Sequence, residues 1–166
     1  MEIGPLTVET HPTLADVQFL EDRLHEYNDA QTGIIDGQSL ALFIRDAQHT
    51  IAGVALVGSY ARGEARPDSD IDVMLLCTEP RGFLTETSWI HCFGEVRTCH
   101  TEDWGMVTSL RVHYPGGLEV EFGMTTLAWA AFPVDPGTRH VVSHGMRILW
   151  DREGLLARLQ DAVSAS

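Results

Sequence analysis

The sequence predicts an α/β (α+β) architecture: a mixed central sheet flanked by helices. Three observations predict it. Two continuous apolar runs, "AGVALVG" over 52–58 and "IDVMLLC" over 71–77, read as strands buried on both faces. The stretch "MVTSLRVHYPGGLEVEFGM", 106–124, carries two β-rich runs around Pro115-Gly116-Gly117, the pattern of a hairpin. Helical spacing of apolar residues brackets these strands near both ends of the chain.

Taken in order, Leu14, Val17, Leu20, Leu24 and Tyr27 recur at helical spacing, which predicts a helix over 14–27 with Thr13 as its cap. Gly33 and Gly37 break it. Residues 39–50, "SLALFIRDAQHT", fit two patterns: Leu40, Phe43, Ile44 and Ala47 form a helix stripe, Leu40, Leu42 and Ile44 a strand. Ser39 as a cap favours the helix. The two buried strands follow, joined by "ARGEARPDSD", where Gly63 and Pro67 punctuate a turn-rich connection. "LTETSWIHCFG" reads as a short helix ending at Gly94, and "EVRTCHTEDW" as a strand before the hairpin. "GMRILWD" is a further strand, and "EGLLARLQDAV" a closing amphipathic helix.

Composition bounds the function. With 166 residues, 44% hydrophobic and 21% charged, the chain has the size and balance of one ordinary globular domain. Its net charge of −13 repels polyanions, which argues against a nucleic-acid partner and favours a cationic small molecule or a basic protein. Three cysteines, Cys77, Cys92 and Cys99, do not make a secreted disulfide framework. The start "MEIGPLTVET" has neither the basic nor the apolar region of a signal peptide, and no apolar run approaches the roughly 18 residues of a membrane span. The expected compartment is the cytoplasm, with no membrane partner.

The chemistry concentrates between the two buried strands. Residues i and i+2 of a strand face the same way, so Asp70 and Asp72 point to one side and Ile71 and Val73 to the other. Two neighbouring carboxylates repel unless a cation bridges them. In "LEVEF" the same alternation puts Glu119 and Glu121 on one face. If that strand lies beside Asp-Ile-Asp, Glu121 completes a cluster of three hard oxygen ligands suited to Mg²⁺ or Mn²⁺. Gly58 lets backbone approach a phosphate, Ser59 adds a hydroxyl donor, and Arg62 and Arg66 offer guanidinium groups. Any one of these features is common; their joint order points to a nucleoside triphosphate held at a metal site.

The stretch "VALVGSYARGEARPDSDIDVMLL", 54–76, resembles the signature of the DNA polymerase β-like nucleotidyltransferase superfamily, in particular its minimal and aminoglycoside-type bacterial members. The resemblance implies a nucleotidyltransferase-like domain over 38–166. It implies Asp70, Asp72 and Glu121 as catalytic and metal-binding acids, with Gly58, Ser59, Arg62, Arg66 and Ser69 toward the nucleotide. The family's third acid is often Asp, and Glu121 is longer. The implied reaction is Mg²⁺-dependent transfer of a nucleoside monophosphate from ATP or another NTP to a hydroxyl of a small molecule or protein, releasing pyrophosphate. Residues 19–53 resemble instead the opening of a GNAT-type N-acetyltransferase, so 1–37 is read as an N-terminal extension. No acetyl-CoA loop follows Gly53, which makes acetyl transfer improbable; in that resemblance "SLALFIR" is a strand.

Other features weigh less. His91-Cys92 and Cys99-His100 offer four zinc-type ligands, but at a spacing that matches no familiar knuckle. Trp89, Trp104, Trp129 and Trp150 are read as core or rim packing, with Trp104 and Tyr114 as candidates to line an acceptor pocket. The chain has no room for the extra helical domain that binds acceptor in aminoglycoside-modifying relatives. The acceptor would sit on the sheet face, in a homodimer cleft or on a partner. The competing expectation is a non-catalytic module, antitoxin-like or degenerate, that binds nucleotide or a partner without turnover.

Overall fold

A computed structural model describes residues 51–165. The expectations for the helix over 14–27, for 39–50, for the boundary at 37/38 and for the bulk of the GNAT-like stretch lie outside the described residues. In order along the chain run β1 (Ile51–Val57), α1 (Gly58–Arg62), β2 (Ile71–Cys77), α2 (Pro80–Thr85), a 3-10 turn over Ser88–Phe93, β3 (Thr98–Asp103), β4 (Val107–His113) and β5 (Glu119–Thr126). A 3-10 turn over Leu127–Ala130, α3 (Pro136–Ser143), β6 (Met146–Asp151) and α4 (Leu155–Ser164) complete it. Among the described residues no helix is long and apolar enough to cross a membrane.

The six strands form one mixed sheet in the order β3-β4-β5-β2-β1-β6. Only β2 and β5 run parallel; the other neighbours are antiparallel. β1 and β2 are both interior strands, each paired on two sides, and both are apolar along nearly their whole length. The hairpin lies where the sequence puts it, with β4 and β5 paired around Pro115–Gly117.

Register divides each sheet face. On one face Ala55, Val57, Met74 and Leu76 pack with Trp129, Val142, Leu156 and Leu159, so α3, α4 and the 127–130 turn cover that half. On the other face Leu110 lies opposite Phe122 and Val112 opposite Val120. Phe122 is fully buried there, 4.9 Å from Trp89 edge-to-face and 5.6 Å from Phe93 stacked. Burying an aromatic ring of this size stabilises by roughly 1.5–3 kcal/mol. The first face continues past the helices on β3, β4 and β5, where it carries the half-buried Glu102, Arg111, Glu119 and Glu121.

Three expectations change. The stretch read as one helix ending at Gly94 is two pieces, α2 and the 3-10 turn. The Glu86 carboxylate accepts from the Ser88 N–H at 3.2 Å, capping a new turn instead of extending the old one. Gly94 does end the second piece, at φ +143°. Helix α3 was not expected. Its signature is in the sequence all the same: Asp135 before Pro136, with the Asp135 carboxylate accepting from the Gly137 and Thr138 N–H groups at 2.8 and 3.1 Å. Of the four tryptophans, Trp129 is core and Trp89 half-buried, but Trp104 and Trp150 are 63% and 45% exposed, so these two are not packed inside.

Candidate active site

The site grows from the bend that ends β1. Val57 lies opposite Asp72 in the β1–β2 pair, and the chain then turns at Gly58 with φ +69°. A Cβ there would stand 2.3 Å from Asp72 Oδ2. Glycine is thus needed twice over, for the backbone angle and for the space that the carboxylate occupies. Past α1, the loop closes tightly: the Arg66 N–H donates to Ser69 Oγ at 2.8 Å, and the Ser69 N–H donates back to the Arg66 carbonyl at 3.0 Å. This turn delivers Asp70 to the start of β2. Ser59, Arg62, Glu64, Arg66, Asp68 and Ser69 line an open cavity of about 480 Å³. Four of the five residues expected to face nucleotide therefore share one cavity, and the fifth, Gly58, adjoins it.

The acids converge from two strands. Asp72 and Glu121 are opposite each other in the parallel β2–β5 pair, and Asp70 precedes Asp72 on the same face. One oxygen each of Asp70, Asp72 and Glu121 lies within 4.8 Å of the others. The Asp72 carboxyl is pushed up to about 7, first by burial, then by the charges of Asp70 and Glu121; Arg111 pulls it down. A cation added among these oxygens would relieve that repulsion, so the donor set fits a divalent metal.

Arg111 is the residue that sequence reasoning missed. It sits on β4 opposite Glu121, and its side chain is 20% exposed. Its guanidinium donates to Glu121 and to Glu119, reaches Asp70 Oδ2 at 3.3 Å, and through Nε meets Glu102 Oε1 at 3.2 Å. The Glu119 bond does most to raise its pKa, against burial and with help from Glu121 and Glu102. Ser109 Oγ donates to the other Glu121 oxygen at 2.6 Å. Glu102 in turn pairs with His100 at 3.0 Å, which with Arg111 lowers its pKa. The only sequence signal for this network was alternation: Ser109, Arg111 and His113 share a face, and the Pro-Gly-Gly turn folds that face beside Glu119 and Glu121.

Other expected residues are otherwise engaged. Arg62 donates through Nη1 to the His144 carbonyl and through Nε to Glu64, both at 2.7 Å, and its stem passes so close to Gly145 that a Cβ there would be 2.6 Å from Arg62 Cγ. It ties α1 to the turn before β6. Arg66 is exposed and makes no ion pair among the described residues. Tyr114 is buried and donates to the Ile90 carbonyl at 2.9 Å, so it does not line an acceptor pocket; burial, then Cys92 and Cys99, push its hydroxyl up to about 12. His91, Cys92, Cys99 and His100 do not assemble into a ligand group among the described residues.

Residues 39–102 match the family model described as Nucleotidyltransferase domain, a span that contains the whole Gly-Ser to Asp-x-Asp stretch but under half of the chain. The resemblance to the polymerase β-like nucleotidyltransferase superfamily holds on that match. A solved structure of an aminoglycoside 6-adenyltransferase from Bacillus subtilis is similar over 51% of this chain, at 13% identity and a TM-score of 0.39. This chain spans 31% of that one. No curated protein matches significantly.

Proposed function

We propose, from the nucleotidyltransferase match over 39–102, that the chain transfers a nucleoside monophosphate from an NTP, ATP first among them, to a hydroxyl acceptor. The observation that carries this reading is convergence: Asp70, Asp72 and Glu121 meet beside the Gly58-Ser59 bend, next to a cavity lined by Ser59, Arg66 and Ser69. In this reading the acceptor oxygen attacks the α-phosphorus, the bond to the bridging oxygen breaks, and pyrophosphate leaves. Asp70, Asp72 and Glu121 would hold Mg²⁺ or Mn²⁺, which supplies charge neutralisation for the phosphates. Gly58 and Ser59 offer an N–H and a hydroxyl to phosphate oxygens, and Arg66 is free to close on the leaving group. Glu121, or Asp72 once deprotonated, takes the acceptor's proton. The net charge of −13 supports a cationic acceptor.

The test is pyrophosphate release from each of the four NTPs with Mg²⁺, with acceptors followed by a mass gain of one nucleotide monophosphate. Wild type should release pyrophosphate, and an Asp70→Asn/Asp72→Asn double variant that still folds should neither release it nor bind NTP in a Mg²⁺-dependent way. Equal Mg²⁺-dependent NTP binding by the two would overturn the site assignment. One observation favours the alternative of a non-catalytic binding module: the Arg111 guanidinium contacts both Asp70 and Glu121 and can serve as their counter-ion. That alternative predicts NTP binding that needs no Mg²⁺ and yields no pyrophosphate.

A further inference from the structure

The carboxylates of the site already have a cation, and it is a side chain. Asp70, Glu102, Glu119 and Glu121 all contact the Arg111 guanidinium. These four divide into two sets. Asp70 and Glu121 belong to the group that fits a divalent ion; Glu102 and Glu119 do not. Glu102 stands on β3, on the far side of Arg111 from Asp72, and Glu119 at the start of β5, one alternation before Glu121.

We propose that Arg111 is a positioning residue that acts as the internal counter-ion of the Asp70 and Glu121 carboxylates. On this proposal it holds Asp70 and Glu121 together until a divalent cation takes their oxygens. It then stays docked on Glu102 and Glu119. The proposal rests on the nucleotidyltransferase reading of Asp70, Asp72 and Glu121. A guanidinium and a divalent ion compete for the same lone pairs, so metal loading must break the Arg111 contacts to Asp70 and Glu121. Glu102 and Glu119 remain as partners, so the displaced guanidinium is not left unpaired in a half-buried position. Arg111 therefore weakens metal binding to the nucleotide-free protein while stabilising the metal-free fold. It biases loading toward metal that arrives with a polyphosphate, whose own negative charge offsets the repulsion from Arg111.

The experiment is Mn²⁺ titration of the full chain without nucleotide, by calorimetry and by the Mn²⁺ paramagnetic resonance signal, for wild type, Arg111→Met, Arg111→Lys and Asp72→Asn. Arg111→Met should bind Mn²⁺ about tenfold more tightly than wild type, since one repelling unit charge is gone. Its melting temperature should drop in chelator and recover with Mn²⁺. Arg111→Lys, which keeps the charge without the fork, should fall between the two, and it serves as the test if the Met variant does not fold. A role limited to packing would lower the melting temperature without tightening Mn²⁺ binding. Equal or weaker Mn²⁺ binding by Arg111→Met, or by Arg111→Lys where only that variant folds, overturns the proposal. Failure of wild type and both Arg111 variants to bind Mn²⁺, or full binding by Asp72→Asn, overturns the site reading beneath it.

Discussion

Asp72 shows how one half-buried carboxyl ties stability to pH. In water its pKa would be 3.8; in the fold, burial and two neighbouring acids push it up to about 7. Between those values the folded chain holds a proton that the unfolded chain has lost. Stability from this group is therefore complete below about pH 4 and is lost as the pH rises through 7. Asp72→Asn removes the charge and keeps the shape. It should melt a few degrees above wild type at pH 8, with the difference shrinking toward pH 5 and vanishing when Mg²⁺ loads the wild-type site. Scanning calorimetry of the two proteins across that range checks it. A constant difference at all pH values would mean that the charge of Asp72 is not what the fold opposes. On the proposed function, this cost is the usual trade between stability and activity.

At the scale of elements, the bend between β1 and α1 decides whether the site exists. Gly58→Ala places a methyl group 2.3 Å from Asp72 Oδ2 and forces an L-residue to φ +69°. The strain and the displaced carboxylate should cost roughly 1–3 kcal/mol in denaturant unfolding and weaken Mn²⁺ binding as well. Loss of stability with unchanged Mn²⁺ binding would separate the bend from the acids. The bend itself was legible: a glycine and a serine after a buried run, then Asp-x-Asp before another. The strands were legible for the same reason, since burial on one or two faces leaves a local pattern. Helix α3 was missed although its Asp135-Pro136 start is a local signal, because "PGTRHVVS" carries too few apolar residues to stand out as a stripe. Arg111 was missed because nothing local marks an arginine on a strand as the partner of acids on β3, on β5 and just before β2.

At the scale of the whole molecule, 24 acidic side chains against 11 basic ones give a self-repelling surface. Added monovalent salt should raise the melting temperature of the metal-free protein, and the chain should pass unretained through a heparin column. Retention on heparin would contradict the exclusion of polyanionic partners. The acids are also concentrated on one part of the sheet. β3, β4 and β5 present Glu102, Glu119 and Glu121 on the face whose other half lies under α3 and α4.

By itself the sequence determined the strands, the hairpin, the closing helix and the residue types available for chemistry. Each of these rests on interactions within a few residues: alternation, turn-forming glycines, apolar spacing. Only the tertiary structure decided that β5 runs parallel to β2 with Glu121 facing Asp72, that a half-buried Asp72 is opposed by its neighbours, and that Arg111 stands among four carboxylates. Pairing between distant segments is settled by the packing of the entire sheet, and that packing leaves no mark within any one short window of the chain.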